Sequence, residues 1–296
     1  MLTSMESPMA LGKLLANLDP AVDVRLNLIG LFDTVAAIID SLSGDLSAAN
    51  DDNPGVNLYL PPGCARQVIQ LQARDERRHN FALNSVLDGH REISLPGVHS
   101  NIGGGYLPRA RERLWLTPPR RVTQDANRPV QAHLEWAKAR TQMLALEASG
   151  LAGDEGSLEI HTWSMTPAPQ GKNSEDKDDY LLTIALDRPV HGELSRIALR
   201  VMRELGVRHG VPFKRLEERP DLALPAELQP IATQILDQVL GGVEVSLDRA
   251  QERLLRRRYI HQSAHWLPNT GVMAMKPAAD NTRKVYPNQP HKGYPE

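Results

Sequence analysis

A histidine on a glycine-rich loop is the residue of this chain best suited to acid–base chemistry. His99 follows the apolar, alternating run 91–95 (REISL) and a Pro-Gly turn, and three consecutive glycines follow at 103–105. Enzymes that transfer acyl groups on a parallel sheet keep their general base on a sharp loop directly after a strand. The spacing predicts that His99 takes a proton from a hydroxyl group. The alternative is a loop histidine that binds only backbone groups.

A general base of this kind needs a buried carboxylate to hold its tautomer, and Asp33 is the first candidate. Residues 24–32 (VRLNLIGLF) predict a strand buried on both faces, and Asp33 follows directly. The same residue, or Thr34, could instead cap a helix that begins here. Asp75 and Glu76 are rival acids, but their charged stretch 74–78 (RDERR) is typical of a solvated or salt-bridged surface.

Two further clusters have both a chemical and a plain structural interpretation. Gly103, Gly104 and Gly105 could form a nest of backbone N–H groups that receives an oxyanion, but a tight turn needs the same residues. His261 and His265 are four residues apart and would share one face of a helix, as zinc ligands do. Since no third ligand is evident near them, we predict neither a metal site nor a cofactor.

The residue that such a histidine would serve is missing. No serine of the sequence lies in a Gly-x-Ser-x-Gly elbow. A net charge of −2 argues against nucleic-acid binding, and the single cysteine, Cys64, excludes an intrachain disulfide and a cysteine zinc site. The chain has no apolar run long enough to span a bilayer and begins without a secretory signal, so we expect a cytoplasmic protein.

The order of elements predicts an α/β protein. The runs 24–32 and 92–95 are expected strands, and 64–73 could be strand or helix. Strands separated by long connections favour an open parallel sheet with its site at the strand C-termini. Beyond residue 120 the apolar spacing is mostly helical. We therefore expect a core portion over 1–120 with the acid and histidine motifs, a mainly helical insertion or cap over 121–250, and a C-terminal helix with an extended tail over 251–296.

Three segments carry a resemblance to a known family: 30–37 (GLFDTVAA), 70–81 (QLQARDERRHNF) and 95–106 (LPGVHSNIGGGY). They resemble the DUF2235 group, which includes Tle1-type phospholipase effectors of type VI secretion. The resemblance implies an α/β-hydrolase core and serine-dependent hydrolysis of glycerophospholipid acyl esters. The aspartate of the family's Phe-Asp-Thr-Val motif matches Asp33, and the histidine of its Pro-Gly-Val-His motif matches His99.

The chain departs from the family pattern in two ways. Asn101 stands where the family usually has aspartate, and the family's nucleophile elbow would lie upstream of Asp33. We therefore expect an incomplete α/β-hydrolase-like parallel sheet with helical insertions, truncated or split from its nucleophile, and a chain that is inactive and poorly stable alone. The alternative is a non-catalytic remnant or a binding or adaptor protein.

The resemblance also implies partners and a destination. They are a phospholipid membrane surface, an upstream fragment with the nucleophile, a type VI spike protein and an immunity protein, but no nucleic acid. Family members are delivered from the producing cell to the periplasm of a target cell.

Overall fold

The computed structural model describes residues 25–35, 58–87, 89–165, 177–217, 219–267 and 275–290. A parallel sheet of three strands organises the first part of the chain: β1 (Leu28–Phe32), β2 (Gln67–Ala73) and β4 (Arg91–Leu95), in the order β1-β2-β4. The run that could be strand or helix is thus the central strand. Phe32 pairs with Leu71, and Ala73 pairs with Leu95, so the C-terminal ends of all three strands meet at one edge.

The helices α3 (Ser195–Arg208) and α4 (Gln229–Gly241) cover this sheet. Both helices were expected in an insertion, but their apolar faces are part of the same core as β2 and β4. Fully buried members of that core include Ile69, Leu71, Leu95, Val201, Leu205, Ile231 and Ile235. The predicted α/β fold with a parallel sheet and helices is confirmed.

The strand β1 was expected to be buried on both faces, and this is wrong. Of the described strands, only β2 pairs with it, so β1 lies at the edge of the sheet. Phe32 is 37% exposed, and Leu26 just before the strand is 44% exposed. An apolar strand with an open edge is a template for pairing with another strand.

A second, antiparallel sheet lies in the region that we expected to be mainly helical, and this corrects that expectation. It consists of β5 (Arg109–Trp115), β6 (Arg120–Asp125), β7 (Ser157–Ser164) and β8 (Lys177–His191). Pairing registers put β5 and β6 end to end along one side of β8, and β7 along the other. The helix α2 (Leu134–Ala148) packs on this sheet.

Two further α-helices and two short strands remain in the described part of the chain. They are the short helix α1 (His99–Gly103), the helix α5 (Arg249–Arg258), and the two-residue strands β3 (Leu83–Asn84) and β9 (Val285–Tyr286), which pair in parallel. Among the helices described, none is both long and apolar enough to cross a bilayer.

Candidate active site

Asp33 lies directly after β1, in a backbone conformation that is uncommon for residues other than glycine. Its φ is +52°, in the left-handed region that aspartate tolerates better than most side chains, and its N–H donates to the carbonyl of Leu71 at 2.7 Å. The carboxylate is fully buried, and its Oδ1 accepts the N–H of Ala73 at 2.7 Å. The side chain is thus turned across the C-terminal edge of the sheet. The alternative helix that Asp33 or Thr34 would cap falls on residues from 36 onward, outside the described ranges.

His99 is the first residue of α1, and its ring reaches Asp33. Nδ1 lies 2.8 Å from Oδ2 of Asp33, so the predicted proximity of these two residues is confirmed. Because an ionised carboxylate only accepts hydrogen bonds, a neutral His99 carries its proton on Nδ1 and a lone pair on Nε2. Within the described ranges no hydrogen bond engages Nε2, and the side chain is 26% exposed. This geometry presents a base to an incoming group.

The environment of Asp33 keeps it ionised. Burial alone would raise the pKa of this carboxyl, but hydrogen bonds from His99 and Arg283, the charge of Arg283 and the N–H of Ala73 outweigh it and lower the pKa to about 2. Arg283 was not among the residues that sequence reasoning identified. It lies in a proline- and asparagine-rich tail, and nothing in its local pattern distinguishes it from other arginines.

The rival acids hold the backbone of the histidine loop and do not contact the imidazole nitrogens. Glu76 is buried, and its Oε2 accepts the N–H of His99 at 3.1 Å and a hydrogen bond from Arg78 at 2.8 Å. Burial raises the pKa of Glu76, but the hydrogen bonds and charge of Arg78 outweigh this and lower it. Asp75 accepts the N–H of Gly97 at 2.7 Å.

Close packing explains the glycine before the histidine. Gly97 has a φ of +123°, and a Cβ there would lie 2.7 Å from the Cβ of Asn101. Phe81 contacts the imidazole itself, with the two rings edge-on and their centroids 5.1 Å apart. The loop is therefore held by backbone conformation, by two carboxylates and by an aromatic contact.

Of the two interpretations of the three glycines, the structure favours the tight turn. The N–H groups of Gly104 and Gly105 both donate to the carbonyl of Ser100, at 3.0 and 3.1 Å. Gly104 ends α1 in the left-handed conformation, with a φ of +81°. Since two of the three amides are engaged inside the turn, Gly103 to Gly105 do not offer the nest that an oxyanion would need.

The histidine pair considered for zinc is not assembled as a metal site. The helix α5 ends at Arg258, so His261 and His265 do not share a helical face. His261 stacks on Tyr106 with ring centroids 3.5 Å apart, and burial, followed by the charge of Arg188, lowers its pKa to about 3. Among the residues described, no group of three or more His, Cys, Asp or Glu could hold a metal ion.

Asn101, the departure from the family pattern, is fully buried and uses its whole amide. Its Oδ1 accepts the N–H groups of Val98 and His261, both at 3.2 Å. Its Nδ2 donates to the carbonyl of Tyr259 at 3.0 Å and lies 3.1 Å from Nδ1 of His261. The carbonyl of Tyr259 needs a donor, which an ionised carboxylate cannot supply.

Asn101→Asp is therefore expected to destabilise the fold by about 3 kcal/mol or more, because it removes the hydrogen bond donated to Tyr259 and buries an unpaired charge. Chemical denaturation at neutral pH measures the loss. Asn127→Asp is the matched control, since Asn127 is exposed and the new charge there is solvated. Equal stability of the two variants would contradict the role given to the amide.

Comparison with known proteins adds a structural relative. No family model and no curated protein matches the sequence. The structure of the Tle1 effector bound to the VgrG spike from the type 6 secretion system is similar to this chain, with a TM-score of 0.72 and 26% sequence identity. The alignment covers 89% of this chain and 58% of the Tle1 chain. The mixed α/β fold with its parallel sheet is thus similar to that of a type VI effector.

Proposed function

We propose that this chain carries the acid and the general base of a serine phospholipase of the Tle1 type, and that the nucleophile comes from a polypeptide segment outside this sequence. The observation that carries the proposal is the hydrogen bond between Nδ1 of His99 and Oδ2 of Asp33, at the C-terminal edge of a parallel sheet. Open α/β sheets place their reactive groups at this edge. The structural similarity to the Tle1 effector supports the same conclusion.

The proton movements follow from the tautomer of His99. Nε2 takes the proton of a serine hydroxyl while the oxygen attacks the acyl carbonyl of a glycerophospholipid. Asp33 stabilises the imidazolium that forms. The imidazolium then gives that proton to the leaving alcohol of the lysophospholipid. A water molecule repeats the cycle, releasing the fatty acid and restoring the serine.

The open edge of β1 supports the proposal that a strand of the nucleophile segment pairs with it. Among the described residues no strand pairs with the outer side of β1, and its partly exposed apolar side chains, such as Phe32, can pack against one further strand. A strand seated there in parallel would end at the same edge of the sheet as Asp33. We propose that the strand of a Gly-x-Ser-x-Gly elbow occupies this position.

The partners of the whole enzyme follow from the same proposal. A phospholipid surface supplies the substrate, and a type VI spike would deliver the protein from the cytoplasm of the producing cell to a target periplasm. The Tle1 effector is bound to such a spike, which supports this partner. An immunity protein would protect the producer.

The test is fatty-acid release from phosphatidylethanolamine vesicles. The chain alone should release none, and co-expression with the segment encoded directly upstream of Met1 should give hydrolysis if that segment contains the elbow. If the chain alone hydrolyses lipid and loses this with His99→Ala, the nucleophile lies within it and the division proposed here is wrong. An upstream region without an elbow would favour a non-catalytic binding protein.

A further inference from the structure

Residues 275–290 bring an arginine to the site from the far end of the chain. This segment, here called the C-terminal strap, runs beside residues 77–85. Ala278 donates its N–H to the carbonyl of Arg77, and Leu83 donates its N–H to the carbonyl of Lys284, each at 2.9 Å. The strand β9 begins two residues after Arg283 and pairs with β3. This pairing holds the backbone of Arg283 in place.

The side chain of Arg283 binds mainly one carboxylate, that of Asp33. Nη1 donates to Oδ1 of Asp33 at 2.6 Å, and Nη2 donates to Oδ2 at 2.8 Å. Nε donates to the carbonyl of Phe81 at 2.8 Å, and only 9% of the side chain is exposed. All three nitrogens of the guanidinium thus have acceptors, and its plane is fixed relative to the carboxylate.

We propose that Arg283 is a positioning residue for the Asp33–His99 pair, an inference that rests on the proposed function. Its two parallel hydrogen bonds set the rotation of the carboxylate so that Oδ2 faces Nδ1 of His99. Its charge keeps Asp33 ionised although this carboxylate is fully buried. The C-terminal strap is therefore part of the active site, because it completes the acid.

The chemistry requires both effects. A protonated Asp33 would present a hydroxyl to Nδ1, and the imidazole would then favour the tautomer with its proton on Nε2, which cannot act as a base. A lysine at position 283 would keep the charge but would grip only one oxygen, since an ammonium group lacks the planar fork. The two roles can thus be separated by substitution.

The experiment measures the tautomer of His99 in the chain as it is, by ¹⁵N NMR of protein labelled at histidine. The spectra are recorded at about pH 8.5, above the ordinary histidine pKa. His99→Gln assigns the signal. We expect the Nδ1–H tautomer in the wild type and in Arg283→Lys, and its loss in Arg283→Met. Arg219→Met, which breaks an exposed bidentate pair with Asp221, is the control and should leave the signal unchanged.

The outcomes separate the two proposals. Retention of the Nδ1–H tautomer in folded Arg283→Met would make Arg283 a structural anchor and overturn this inference, leaving the proposed function intact. A wild type without that tautomer would instead remove the basis of the proposed function.

If Arg283→Met does not fold, the inference is tested with Arg283→Lys instead, by measuring kcat in the enzyme assembled with its nucleophile. We expect kcat lowered about 10- to 100-fold with KM unchanged, as for small misplacements of reacting groups. An unchanged kcat would overturn the inference.

Discussion

Replacing His99 by alanine is expected to lower kcat about 10⁶-fold in the enzyme assembled with its nucleophile segment. Nε2 of His99 is the atom that would take the serine proton, and no other base lies against Asp33 among the described residues. Loss of the serine or the histidine of such a triad typically costs about this factor, because these two residues act as a unit. KM should change little, since the imidazole contributes to the transition state and not to lipid binding.

Steady-state hydrolysis of a soluble short-chain phospholipid measures this effect without interfacial complications. The control is His161→Ala, since His161 lies on the exposed face of β7, with a side chain 46% exposed. It should keep full activity. A loss of less than about tenfold in His99→Ala would show that another group serves as the base, and the role proposed for the pair would be wrong.

Asp33→Asn is expected to cost about 3–5 kcal/mol of stability at neutral pH, because it leaves the nearly buried guanidinium of Arg283 without its counter-charge. The same carboxylate makes the wild type sensitive to acid. Its pKa is about 2 in the folded state against an ordinary value of 3.8. The unfolded chain therefore binds this proton more tightly, and the stabilisation is present above pH ~4 and is lost as the pH falls towards 2.

The difference between the two pKa values corresponds to about 2.5 kcal/mol of stability that disappears over this range. Chemical denaturation between about pH 2 and 6 measures it. The pKa of Glu76 is also lowered, so this residue too makes stability fall in acid. The contribution of Asp33 is therefore the difference between the stability curves of the wild type and Asp33→Asn. Stability curves that stay parallel down to pH 2 would show that Asp33 is not held as the structure indicates.

Local sequence pointed to Asp33 and His99 as neighbours, although it also left a helix cap at Asp33 open. Each follows a short apolar run, and parallel strands bring their C-terminal ends to the same edge of a sheet whatever the length of the connections. The apolar runs 24–32 and 92–95 contain β1 and most of β4, and the resemblance pointed to Asp33 and His99. These features depend on short-range patterns, which a single sequence displays directly.

The sequence did not predict the antiparallel sheet, and its longest strand, β8, shows why. Alternate residues of β8 point inward, and Leu182, Ile184 and Leu186 fit that pattern. The next inward position is Arg188, which is fully buried because its guanidinium donates to the carbonyls of Leu151, Arg256 and Ile260 and pairs with Glu112. A charged residue at a core position obscures the alternation until its partners are known.

The sequence by itself thus indicated two of the three parallel strands and pointed to Asp33 and His99, since these patterns depend on neighbours a few residues away. Only the tertiary structure decided what surrounds them. Arg283 meets Asp33 across 250 residues, and Asn101 meets His261 across 160. Contacts at such distances leave no periodicity or spacing in the chain, because they are formed by packing of separate segments. The same packing makes β1 an edge strand in the described fold, although its composition is that of a buried one.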